Sequence, residues 1–384
     1  MNDMKKFQLR SILKKIRWRL VIPCCVLTIL SVLFYLQFRA VGAAFPATET
    51  AATWRGTNEM RFAQIACYLP TDEGQTEDAI YTFRETLNQA LVEASIESTG
   101  EGSLYTDAYS GLSSLSVSSD RASATLDAIG VGGDFFLFHP LKLISGSYLQ
   151  PDDLMQDGVV LDREAAWKLF GGYDLTGMTV TIGGMPYLVM GVVERETDRY
   201  TTKEFESTGS VFLAYSALQK LDSTPITCYE VVMPNPVRQF AKNMISDKFT
   251  IGNGEIVEIS SRFAPAGMLS VYKNFGKRAM QTLPLVYPYW ENAQRAAENY
   301  AALYLLLAVL TILLPAFCAV FFSVRFLRRK IRSGVQNTKE KIAARIEAQK
   351  EKQLAQKIRQ REKEREARET DGDTESAACE QSIR

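Results

Sequence analysis

An α+β protein held between two membrane-spanning helices is the fold class this sequence predicts, and three observations predict it. Two long apolar stretches without a charge lie near either end. The charge of the chain is divided sharply by those stretches. Between them, period-2 and period-3.6 hydrophobic patterns alternate, as they do in a mixed sheet-and-helix domain.

The first apolar stretch, Leu20 to Phe38, reads LVIPCCVLTILSVLFYLQF. At 1.5 Å per residue it is long enough to cross about 30 Å of hydrocarbon. A cleaved signal peptide is the rival reading, since Ala40-Val41-Gly42-Ala43-Ala44 offers small residues to a peptidase. The apolar run, however, exceeds the ~7–15 residues of a usual signal core, which favours an uncleaved anchor. The second stretch is Tyr300 to Val324. Pro23 and Pro315 fall inside the two stretches, where local bends are the expected consequence.

The formal net charge is zero, and the zero is an average over three compartments. Residues 1–19 carry seven Lys/Arg and one acid; from Ala40 to Val324 there are 19 Lys/Arg against 32 Asp/Glu; from Arg325 onward there are 17 against 11. Cationic flanks are retained in the cytoplasm, so the expected topology is multi-pass, with both termini cytoplasmic and residues 40–299 outside the cell membrane. Within 1–19, Leu9, Ile12, Leu13 and Ile16 recur at helical spacing among the cations, the pattern of an amphipathic segment at the inner membrane surface.

Residues 40–299 are expected to form the extracytoplasmic domain. Ala40–Met60, rich in Ala, Thr and Gly, reads as a stalk. Arg61–Leu69 reads as a strand, and Thr76–Ile96 as a helix with Ile80, Phe83, Leu87, Leu91 and Ala94 on one face and an acidic first turn. Leu112–Val117 and Ala122–Val131 are strand-like. Gly158–Asp162 is a buried strand, and Arg163–Phe170 a short helix stopped by Gly171-Gly172. Thr179–Ile182 and Met185–Val193 make a hairpin around Gly183-Gly184. Cys228–Met233, Pro236–Ser246 and Glu255–Ile259 read as strand, helix and strand. A strand–helix–strand at each end predicts a split ferredoxin-like β-α-β unit, with a β-rich inserted subdomain over about 138–224.

The stretch His139–Glu196 resembles the extracytoplasmic core domain of MacB-like ABC-transporter permeases. The resemblance rests on Gly146-Ser147-Tyr148, Asp152-Asp153, Val159-Val160-Leu161, Leu169-Phe170-Gly171-Gly172 with Asp174 and Gly177, and Val189 through Val193. Ala128-Ile129-Gly130-Val131 with Asp134-Phe135-Phe136, and the LRSILKKIRWRL run before the first span, extend it. It implies a permease-like or accessory subunit that is non-enzymatic itself and works with a separate ABC ATPase subunit and with another permease chain or a self-dimer. Two departures stand out. Such permeases have three spans after the external domain where one is found here, and the sequence has no G-x-x-x-x-G-K-[ST] phosphate loop. A membrane-anchored binding or scaffold protein that uses the same domain is therefore the alternative.

Chemistry-bearing patterns are sparse. The single histidine, His139, precedes Pro140 in a Phe-rich stretch and reads as core or turn. No G-x-S-x-G elbow accompanies it, Cys/His metal ligands are lacking, and Gly130-Val131-Gly132-Gly133 has the wrong spacing for a dinucleotide loop. No catalytic, cofactor or metal residue is expected, and no nucleic-acid partner. Cys67 and Cys228, the two cysteines of the external domain, fall on strands of the same unit, so a disulfide and two buried thiols both fit. Trp18 and the group Tyr287, Tyr289, Trp290 and Tyr300 are expected as anchors at the membrane interface, where aromatic rings sit half wet.

Asn337–Arg368 is almost all Lys, Arg, Glu, Gln and Ala, a helix-forming composition, with Ile342, Ile346, Leu354 and Ile358 along it. It shows no sustained heptad. A solvated single helix and a coiled coil both fit, and residues 325–384 together are expected to be a charged cytoplasmic helical tail with a disordered end.

Overall fold

A computed structural model describes residues 2–96, 103–151, 153–196, 198–204, 208–275 and 285–380. The chain divides into two compact units, one of residues 29–310 and one of residues 1–28 with 311–384.

In the first unit, the end of helix α1 (Asn2–Ala43) leads through a 3-10 turn, Pro46–Glu49, into α2 (Thr50–Arg55). The segment expected as a stalk is thus folded and packed, with Phe45, Thr50 and Ala51 buried. Its small residues allow close packing, which composition alone reads as looseness.

Strand β1 (Phe62–Tyr68) is followed by α3 (Glu77–Glu93), whose N-cap Thr76 accepts from the Ala79 amide at 3.3 Å. Ile80, Phe83, Leu87, Ala90 and Leu91 are its buried face. Ala94, just past its end, is exposed. Leaving water contributes about 1.5–3 kcal/mol for each large apolar side chain. Strands β2 (Thr106–Ser118) and β3 (Ser123–Gly133) form a long hairpin. Then come α4 (Phe135–Phe138), β4 (Lys142–Gly146), β5 (Gly158–Asp162) and α5 (Arg163–Phe170). Asp162 caps α5, and Gly171 ends it at φ 72°, a left-handed conformation that glycine takes without a Cβ penalty. Strands β6 (Thr179–Ile182) and β7 (Met185–Glu194) turn at Gly183-Gly184, with φ of 59° and 81°, as a two-residue hairpin requires. The remaining elements are α6 (Thr201–Glu204), β8 (Ser210–Ala214), α7 (Tyr215–Asp222), β9 (Cys228–Pro234), α8 (Phe240–Lys248), β10 (Glu255–Glu258), α9 (Pro265–Asn274) and α10 (Tyr289–Glu380). Helix α8 starts four residues later than Pro236 suggested, after Gln239 in a left-handed conformation.

The order β10-β1-β9-β2 is the ferredoxin-like arrangement, antiparallel throughout, with α3 and α8 on one face. The residues 138–224 contribute β4 to β8 to the same ten-stranded sheet. Six of the strand pairings close a ring: β2 pairs β3, β3 pairs β8, β8 pairs β5, β5 pairs β7, β7 pairs β6, and β6 pairs back with β2. Strand β2 belongs to both parts. Its first half pairs with β9 and its last residues with β6, so the ring and the ferredoxin-like half share a strand. Val117, Leu126, Val159, Leu161, Val180, Val189, Val211 and Leu213 fill the core of the ring.

Cys67 and Cys228 are both free and buried. They sit on neighbouring strands, but Cys67 pairs opposite Tyr229 and Cys228 opposite Tyr68. Side chains alternate along a strand. Cys67 therefore packs with the α3/α8 face and Cys228 with the other, so the disulfide considered from the sequence does not form. Burial pushes both thiols up, which keeps them protonated and unreactive.

Helices α1 and α10 each contain a stretch long and apolar enough to cross a membrane: Leu20–Ala43, and a stretch within Tyr289–Arg359. Their apolar side chains, among them Ile22, Val26, Leu313, Phe317 and Val320, are exposed. Helix α10 continues past Arg325, and the described side chains from there to Arg359 are exposed.

Candidate functional site: a buried ionic cluster beneath the sheet

The face of the ferredoxin-like half opposite α3 and α8 is covered by the first turns of α10. Along it, Glu291, Gln294, Arg295 and Glu298 recur at i, i+3, i+4 and i+7, the spacing of a buried helix face, and all four are buried. They meet Arg262, which precedes α9 and is itself buried. The Arg262 guanidinium donates to both carboxylate oxygens of Glu291, Nη2 to Oε1 at 2.5 Å and Nη1 to Oε2 at 2.7 Å. Its Nε donates to Glu298 Oε1 at 2.6 Å, and Nη1 also to Gln294 Oε1 at 2.7 Å. Arg295 donates from Nε to Glu291 Oε1 and from Nη2 to Glu255 Oε2 on β10, each at 2.6 Å. Its guanidinium lies 4.0 Å from the centre of the Tyr287 ring. The hydroxyl of Tyr68 on β1 donates to Glu291 Oε2 at 2.9 Å, and that of Tyr287 to Glu255 Oε2 at 2.6 Å.

Electrostatics agree with geometry. Burial alone pushes the Glu291 carboxyl up, but Arg262, Arg295 and the Tyr68 hydroxyl outweigh it and hold the carboxyl below its ordinary range. Burial works against both guanidiniums, and Glu291 reverses the effect, raising Arg262 and Arg295 above their ordinary values. Burial, then the charge of Glu291, pushes Tyr68 well up. The cluster is thus ionised and internally satisfied, a structural tie with no proton poised for transfer.

Two further groups of contacts reach the same helix. His139 Nε2 lies 2.5 Å from Glu230 Oε2, and the imidazole packs 4.5 Å from the Trp290 ring. Glu230 also accepts from Gln64 Nε2 at 3.3 Å. Arg195 forms an ion pair with Asp162 at 3.1 Å and lies over the Tyr289 ring, whose hydroxyl donates to Glu196 at 3.1 Å. Below these contacts, Ala293, Ala297 and Ala301 form an i, i+4 row that packs with Phe38 and Val41 of α1 and with Met268 and Val271 of α9. Small residues let helices approach closely. The hydroxyl of Ser31 donates to the Ala308 carbonyl at 2.8 Å.

Three of the aromatic residues read as interfacial are placed differently. Tyr287, Tyr289 and Trp290 are buried against the sheet, and Tyr300 packs with Tyr200. Their hydroxyl and ring partners are protein groups, which an aromatic count cannot reveal. Trp18 lies on α1, and its side chain is outside the described ones, as is Asp152. His139 is interior, as read. Sequence reasoning missed Arg262, Glu291, Arg295, Glu298, Glu255 and Glu230. The one signal available was charge at the spacing of a buried face, interleaved with alanine. Among the described residues, no group of three His, Cys, Asp or Glu is placed to hold a metal ion.

The profile of the MacB-like periplasmic core domain matches residues 41–241, just over half of the chain. The protein belongs to the MacB-like family. Two curated relatives are the macrolide export ATP-binding/permease protein MacB of Chromobacterium violaceum, 40% identical over 67 residues, and MacB 2 of Aeromonas hydrophila, 33% identical over 92. These matches take in 17% and 23% of this chain but only 10% and 14% of the relatives' length. Among solved structures, the periplasmic region of MacB from Actinobacillus actinomycetemcomitans is 18% identical at a TM-score of 0.38, covering 56% of this chain and 94% of that one. The extracellular domain of the noncanonic ABC-type transporter YknZ from Gram-positive bacteria is 15% identical at 0.35, covering 51% and 100%. The MacB-like match ends inside α8, so Arg262, Glu291, Arg295 and Glu298 lie beyond it.

Proposed function

We propose that this MacB-like chain is a permease-like or accessory subunit of an ABC transporter system, non-enzymatic itself. Its domain of residues 40–299 stands outside the membrane, its two apolar stretches cross it, and both termini are cytoplasmic. A separate ABC ATPase subunit supplies the energy, and another permease chain or a second copy completes the assembly. The observation that carries this reading is the MacB-like match over 41–241 together with α10, one helix that contains both the Glu291 cluster and the second apolar stretch. Fixing the start of α10 by several charge-assisted bonds makes it a lever: a displacement of the span is felt at the sheet through Arg262 and Arg295. Charge segregation supports the orientation, since the basic flanks adjoin both apolar stretches on the same side.

The test is purification of the full chain from its native membrane in mild detergent. An ATPase carrying a phosphate loop is expected to co-purify in stoichiometric amount. Its consistent absence, with the chain intact, would favour a membrane-anchored binding or scaffold protein. That second reading has one observation of its own: two apolar helices, among the described residues, are few to enclose a path.

A further inference from the structure

Past the second apolar stretch, α10 carries an apolar row that nothing described covers. Val324, Leu327, Ile331, Val335, Thr338, Ile342 and Ile346 follow one another at spacings of 3, 4, 4, 3, 4 and 4. An 11-residue repeat has about 3.67 residues per turn, close to the 3.6 of a straight helix, so the row runs along one side without winding away. The six aliphatic side chains are 44–58% exposed. Thr338 fits the row because its hydroxyl donates to the Gly334 carbonyl of its own helix at 2.8 Å, which satisfies its polar group within the helix. Leu354 and Ile358 turn off this side, which is why the tail shows no repeat when read from Ile342 onward.

The charges around the row are of one sign. From Arg325 to Ile346 there are eight Lys/Arg and one acid. At about 100° per residue, Arg328 and Lys339 border the row on one side and Lys341 and Arg345 on the other. Glu340 and Glu347 fall on the opposite face. All of these side chains are exposed, and none is ion-paired among the described residues.

We propose that the Val324–Ile346 face of α10 docks an acidic amphipathic helix of a cytoplasmic protein. Charge complementarity selects this occupant over two others. A second copy in the same membrane points the same way, so a parallel pair sets Arg328, Lys339, Lys341 and Arg345 against the same cations, and like charges at such spacing destabilise. A lipid surface reaches only the start of the row. The helix continues out of the apolar stretch, and Ile342 lies about 27 Å along it beyond Val324. An acidic helix of about six turns satisfies both the row and its border.

The inference rests on the proposed function only in placing the tail in the cytoplasm. The test is a photoreactive amino acid at position 342 of the full chain, expressed in its own cells, with the cross-linked peptide identified by mass spectrometry. The expected adduct is with an acidic helical segment of another protein. Its yield should fall about tenfold in the Arg328→Glu, Lys339→Glu, Arg345→Glu variant, whose substitutions are exposed and leave the folded domain untouched. Adducts with residues 324–346 of another copy, with lipid, or with a non-acidic segment overturn the inference, and so does no adduct at all. The two readings fail separately: an acidic helix captured from a protein that is neither an ATPase nor a permease chain leaves the docking inference standing, and the transporter reading falls on the co-purification result alone.

Discussion

The first turns of α10 and its tail are parts of one helix with opposite arrangements of the same residue types. At the start, Glu291, Gln294, Arg295 and Glu298 are buried while alanines fill the space between them. In the tail, Ile331, Val335, Ile342 and Ile346 are about half exposed while Lys and Arg surround them. Helix propensity does not distinguish the two. What differs is the neighbour: the start meets Arg262, Glu255 and Tyr68, which satisfy its charges, and the tail meets nothing among the described residues. Burial is therefore a property of the partner surface, and substitution costs should separate the two regions cleanly.

The largest effect is expected at Arg262. Arg262→Ala strips Glu291 and Glu298 of their shared cation inside the protein, and losing one partner of a buried pair costs about 3–5 kcal/mol. Chemical unfolding of the full chain in detergent, followed by tryptophan fluorescence, measures this. The double variant Arg262→Leu, Glu291→Leu sharpens the point. It removes both charges and should recover part of the loss, because apolar replacement of a buried pair is often neutral, while Glu298 still loses its bond to Arg262.

Acid should weaken the same cluster. Since the folded-state Glu291 carboxyl is held below its ordinary value, its contribution is present above the unfolded carboxylate range, near pH 4.3, and is lost as pH falls through the folded value. The unfolding midpoint should drop on acidification through that window, and drop less in the Leu/Leu variant.

Tyr68→Phe deletes one hydroxyl donated to a buried carboxylate and should cost about 1.5–3 kcal/mol. On the other face of the sheet, Thr76→Ala removes the α3 cap at a cost of about 1 kcal/mol. The smallest change belongs to the tail: Ile342→Ser in the purified chain should fall within about 0.5 kcal/mol, since the side chain packs against nothing described. A loss as large as that of Tyr68→Phe would show that the row is already covered.

Much of the fold was legible where its signals are local. The α3 face, the β6–β7 turn and the α5 stop are each written in a few adjacent residues. The closed ring was not, since β6 meets β2 through a pairing about 65 residues apart in sequence that no local pattern encodes. The stalk reading of Ala40–Met60 failed because alanine and threonine fit tight packing as well as they fit exposure. The aromatic cluster at Tyr287–Trp290 was misread for a related reason: tyrosine and tryptophan suit both an interface and a core that offers hydrogen-bond partners. Cys67 and Cys228 show that membership of one sheet is not enough to bridge two cysteines, because the face each side chain takes depends on register.

Native-state hydrogen exchange of the purified full chain in lipid nanodiscs tests most directly whether α10 is anchored at its start and free in its tail. Amides from Glu291 to Ala302 should exchange only at the slow rate of the domain core, alongside β1 and β9, while those from Ile331 to Ile358 exchange orders of magnitude faster through local opening. Equal and rapid exchange along both segments would mean that the Arg262–Glu291 cluster does not hold the helix, and would contradict the lever on which the proposed function depends.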